Sequence, residues 1–67
     1  MSLLYALMMQ YQADIEKAKA NINVYLENPA GIGEHADIVS AVDSQIEIIA
    51  HAEDKLMVID KHFTESK

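Results

Sequence analysis

Any chemistry in this chain would have to come from its imidazoles and the carboxylates near them. There are three histidines, His35, His51 and His62. Glu47 precedes His51 by four residues and Asp54 follows it by three, so the trio shares one face if the segment is helical. Imidazole and carboxylate at helical spacing can ligate a metal. The spacing differs from the Glu-x-x-His repeat of di-iron bundles, which also needs inward-facing glutamates from neighbouring helices. A solvated polar face with intrahelical pairs is the favoured reading. His35 stands between Glu34 and Asp37 and reads as a first-turn helical residue rather than a loop ligand. Gly31-Ile32-Gly33 lacks the preceding strand, the lysine and the longer glycine pattern of a phosphate-cradling loop, and reads as a turn. No serine, histidine and acid are arranged for nucleophilic catalysis. A helical hairpin also has little room for the concave, water-excluding site that catalysis needs. The residues therefore point to no enzyme, no catalytic residue, no cofactor and no metal site.

The elements that would position these groups are punctuated once. Both glycines and the one proline fall between Pro29 and Gly33. Asn28 precedes Pro29, and a residue before proline is pushed out of helical geometry. The spacing predicts a helix over about 2–28, a loop over 29–33 and a second helix over about 34–63. Glu34 and Asp37 are expected in the first turn of that second helix, where carboxylates favour the positive end of the helix dipole. The expected fold is all-α: an antiparallel two-helix hairpin in a single domain, residues 1–67.

Apolar residues recur at alternating spacings of three and four along both helices. Met1, Leu4, Met8, Tyr11, Ile15, Ala18, Ile22 and Tyr25 form the first seam. Ile38, Val42, Gln45, Ile49, Ala52, Leu56, Ile59 and Phe63 form the second. Each runs for about four heptads, the pattern of coiled-coil-like packing. Folding at the glycines brings the seams together with facing residue numbers adding to roughly 63. Tyr11 then meets Ala52, Ala18 meets Gln45, Ile15 meets Ile49, Ile22 meets Val42 and Leu4 meets Ile59. Large side chains face small ones, as interdigitation requires. Gln45 is the polar member of the second seam; a buried amide there can fix register or oligomer number, and partial exposure at the bundle interface is an equal reading. Tyr11 and Tyr25 read as core tyrosines with their hydroxyls reaching water. Ala6, Ala13 and Ala20 recur every seven residues on the back of the first helix. They serve equally well as a close-contact stripe or as helix formers on a solvated face.

There is more apolar surface than one hairpin can use. Val39, Ala41, Ile46, Ile48, Met57 and Val58 flank the second seam, and Tyr5, Leu7, Met9 and Leu26 flank the first. Burying five such side chains is worth on the order of 10 kcal/mol before association costs. A chain of 67 residues is marginal alone, and without cysteine it has no disulfide staple. Self-association into a four-helix bundle, as a homodimer or a higher oligomer, is the expected remedy. The expected interface comprises Leu7, Met8, Tyr11, Ile15, Val39, Gln45, Ile46, Ile49, Leu56 and Met57. Another protein is a further expected partner. Nucleic acid is disfavoured by the net charge of −6 and the absence of arginine. The apolar run Leu3 to Met9 is too short to span a bilayer and lacks the layout of a signal peptide, so a cytoplasmic protein is expected. Met1-Ser2-Leu3 resembles a vector-derived leader, which would put the natural start near Leu4.

The run Tyr25-Leu26-Glu27-Asn28-Pro29-Ala30-Gly31-Ile32-Gly33-Glu34-His35-Ala36-Asp37-Ile38 resembles one in small helical proteins of tailed phages, cyanophages included. Ala50-His51-Ala52-Glu53-Asp54-Lys55-Leu56 is similar to the same group. The resemblance implies a phage origin, and hence the host cytoplasm, but carries no activity and no functional residue. Glu34-His35-Ala36-Asp37-Ile38 also resembles the second-helix start of the plasmid repressor-of-primer family, acidic hairpins that dimerise into four helices and bind paired RNA loops. That family uses basic residues on its first helices, where this chain has Lys17 and Lys19. The leading expectation is a non-enzymatic, oligomerising structural or protein-interaction module, and the alternative is an RNA-binding hairpin dimer. The seam register has a direct check. Ile49→Asp should unfold or dissociate the protein, because an unpaired buried charge is costly, while His51→Ala should leave thermal melting nearly unchanged. Equal losses would refute the register.

Overall fold

The computed structural model describes residues 2–28 and 37–63. Two helices, α1 (Ser2–Glu27) and α2 (Ile38–Phe63), pack against each other. No strand occurs among the described residues. Tyr11 meets Lys55 and Asn21 meets Gln45 across the pair, so the helices run antiparallel. Neither helix contains glycine or proline, the two residues that cost most in a helix interior.

The helix ends follow from local hydrogen bonding. α1 stops at Glu27, and Asn28 N–H still donates to the Val24 carbonyl at 2.9 Å before Pro29 follows. The start of α2 differs from the sequence reading. Asp37 lies outside the helix, which begins at Ile38. Glu34, His35 and the turn read over Gly31–Gly33 lie outside the described residues. Ser40 N–H donates to Asp37 Oδ1 at 3.0 Å, and Ala41 N–H donates to the Asp37 carbonyl at 2.9 Å. Asp37 is therefore the N-cap, not a first-turn residue. Its short carboxylate accepts a backbone donor that no carbonyl of the helix can reach. At the other end Lys61 and His62 occupy the last turn of α2, where cations suit the dipole.

The seam predicted from periodicity is the line of contact. Ile15, Ala18, Ala52 and Ile59 are buried. The other described seam residues are half-buried, Gln45 and both tyrosines included. Phe63 departs from the expectation and is 61% exposed. It lies at the open end of the hairpin, past the described turn of α1 that would have to cover it. Ala6, Ala13 and Ala20 are exposed. The molecule is a rod with extents of 51 × 16 × 15 Å.

Removing the cap should be measurable. Asp37→Ala is expected to destabilise the protein by about 1 kcal/mol, lowering the melting temperature by about 4–8 °C. Asp37→Asn should show little of that loss, because its amide oxygen also caps. Melts followed by circular dichroism distinguish the two.

Candidate functional site

The surface features of a two-helix rod are the two flanks of its seam. The first flank carries Leu7, Asp14 and Asn21 of α1 with Ala41, Ile48 and Lys55 of α2. The second carries Tyr5, Lys19 and Leu26 of α1 with Val39, Ile46 and Glu53 of α2. Heptad geometry puts these sets on opposite sides of the seam.

Two polar contacts across the helices lie on the first flank. Asn21 Nδ2 donates to Gln45 Oε1 at 3.1 Å in a part-buried setting. The Lys55 ammonium sits 5.4 Å from the centre of the Tyr11 ring, a cation–π contact. Two open grooves run along this side. One of about 300 Å³ is lined by Asp14, Lys17, Ala18, Asn21, Gln45 and Ile48. The other, about 200 Å³, is lined by Tyr11, Asp14, Ile48, His51, Ala52 and Lys55. Ala18 shares the first groove with Gln45, and Tyr11 shares the second with Ala52, which is the pairing read from the sequence. The grooves mix one carboxylate with two ammonium groups and are open to water. They can hydrogen-bond a polar segment but do not exclude solvent around a reacting atom.

The histidine trio does not assemble. Glu47, His51 and Asp54 are all exposed, and only His51 reaches a groove. His62 is exposed near the end of α2, its ring 6.3 Å from that of Phe63. Among the described residues no three acidic or imidazole side chains gather as metal ligands. The expected oligomer-interface residues divide into two groups. Met8, Tyr11, Ile15, Gln45, Ile49 and Leu56 lie in the seam of the hairpin itself, buried or half-buried. Leu7, Val39, Ile46 and Met57 are exposed. The sequence reading did not single out Asn21, although its amide is the partner of Gln45. Its place immediately before the seam residue Ile22 was the available signal.

The two flanks are unequally covered. On the first, Asp14, Asn21 and Ala41 are half-buried, and Leu7 and Ile48 are 39% and 42% exposed. On the second, Tyr5, Ile46, Leu26 and Val39 are 56%, 50%, 66% and 80% exposed. The apolar residues of the grooved flank are thus the better covered, and those of the other flank stand further into solvent.

No protein-family model matches the chain, and searches of curated proteins and of solved structures found no significant match. No described helix is long and apolar enough to cross a membrane.

The Asn21–Gln45 contact invites a double-mutant cycle. Asn21→Ala and Gln45→Ala, singly and together, should show a coupling of about 0.5–1.5 kcal/mol, the net worth of one neutral hydrogen bond. Additive losses would mean that each amide is solvated independently.

Proposed function

We propose that the chain is a non-enzymatic assembly module, a helical hairpin that self-associates into a four-helix bundle and presents the outer surface of that bundle to a protein partner. The observation that carries this reading is the imbalance between its core and its surface. Four apolar residues are buried, while twelve large ones among the described residues are exposed. Single exposed apolar residues are ordinary, but twelve crowd a rod this narrow, and contiguous apolar surface marks interaction sites. The phage origin and the location in host cytoplasm rest on the sequence resemblance alone.

The arrangement of cations does not favour the RNA-binding alternative. Lys17 lines the groove on the first flank. Lys19 belongs to the second flank and sits 3.4 Å from Glu16. Residues two apart on a helix do not share a face, so the pair does not form one basic patch.

Light scattering coupled to size exclusion at low micromolar concentration should report at least twice the chain mass of 7.5 kDa. A folded species at the mass of one chain would overturn the proposal.

A further inference from the structure

We propose that the occupant of the open flank is a second copy of this chain, seated so that α1 of each copy runs antiparallel along α2 of the other and both loops lie at the same end of the assembly. The inference rests on the self-association proposed above and adds the face and the orientation.

Three observations support it. The first is coverage. The polar flank is already partly closed by the hairpin's own contacts, whereas Leu26, Val39 and Ile46 are half to four-fifths exposed on the opposite side. The second is area. A helix pair about 40 Å long and 16 Å wide offers on the order of 600–800 Å² per long side, near the ~800 Å² per partner of a stable specific interface.

The third is charge, and it selects the orientation. Among the described residues the open side of α2 carries Asp43, Glu53 and Asp60, whereas that of α1 carries Lys19 beside Glu16 and so has no net charge. An end-over-end dimer would lay α2 along α2 and bring the two acidic rows together. Exchanging α1 against α2 avoids this. In the antiparallel register the hairpin uses internally, Leu26 meets Val39 of the second copy. The Lys19 stem covers Ile46 with its ammonium near Asp43, Gln12 meets Glu53, Tyr5 meets Asp60, and Met9 lies beside Met57. Leu26 with Val39 and Met9 with Met57 join apolar groups, and the Lys19 ammonium meets an anion.

The chain has no cysteine, so one introduced thiol is a unique labelling site. Asn28 is exposed and lies just past α1. Spin labels on Asn28→Cys should give an inter-chain distance of roughly 15–25 Å if the loops share an end, as expected for diagonal helices of a bundle. A distance of about 40 Å or more, one helix length, would mean an end-over-end dimer and overturn the orientation while leaving self-association intact. A monomeric mass would remove both proposals, and three copies would remove the two-fold arrangement. Ile46→Asp and Ile48→Asp separate the flanks, because these neighbours are 50% and 42% exposed on opposite sides. Ile46→Asp should weaken association by about tenfold or more, and Ile48→Asp by less than about threefold. The reverse ranking would place the interface on the grooved flank. Should Ile46→Asp unfold the chain, the milder Ile46→Ser and Ile48→Ser rank the flanks in the same way, and the spin-label distance still decides the orientation.

Discussion

Two helices touch along one line, and that constraint governs the rest of this molecule. A side chain on the line is shielded by its own helix and one neighbour, never by a third layer. Ala18 and Ala52 are consequently the most deeply buried residues, at 1% and 4% exposure. They are small enough to be hidden by larger side chains across the gap, Gln45 over Ala18 and Tyr11 over Ala52. Most of the larger seam residues, including Met8, Ile22, Ile49 and Leu56, protrude and remain half-buried. Among the described residues no large side chain is wholly enclosed. Apolar burial is the main favourable term in folding, and a single hairpin realises only part of what its seam residues could contribute.

Within that limit the polar contacts have a definite task. Asn21 with Gln45 and Lys55 with Tyr11 join the helices at two heights on one flank. Neither is strong. A neutral hydrogen bond is worth about 1 kcal/mol net, and an exposed cation–π contact about 0.5–1 kcal/mol. Their value lies in geometry. An apolar seam with a regular repeat tolerates rotation of one helix about its axis, because neighbouring apolar positions substitute for one another. Two directional contacts on the same flank oppose that rotation and draw this side closed.

The seam was legible because burial along a helix recurs with its turn, and spacings of three and four mark that recurrence directly. Every described seam position except Phe63 is at least half-buried. The cap at Asp37 was misplaced by one element boundary, since an aspartate just inside a helix and one just outside it look alike in sequence. Only the hydrogen bond to Ser40 N–H distinguishes them. Asn21 was missed for another reason. Periodicity defines a stripe but not how far each helix is turned about its axis, and that angle decides which flanking residue reaches across. The unequal exposure of Ile46 and Ile48, two residues apart with identical side chains, belongs to the same class of fact.

The rotation also bears on where a partner could be recognised. In the assembly proposed here the open flanks of two copies cover each other, and the grooved flanks face outward. What remains accessible is then the surface carrying Asp14, Lys17, His51 and Lys55, together with the alanine stripe of Ala6, Ala13 and Ala20 on the back of α1. The first is polar and of mixed charge, with Ile48 at its centre. The second is smooth, which lets another helix approach closely. An apolar flank that joins like to like and a polar flank of mixed charge are suited to different work. Apolar contact supplies association energy with little discrimination. Charged and hydrogen-bonding groups discriminate among partners and contribute less to affinity. If the chain assembles as proposed, association would rest on its open flank, and any choice of partner would fall to the groove.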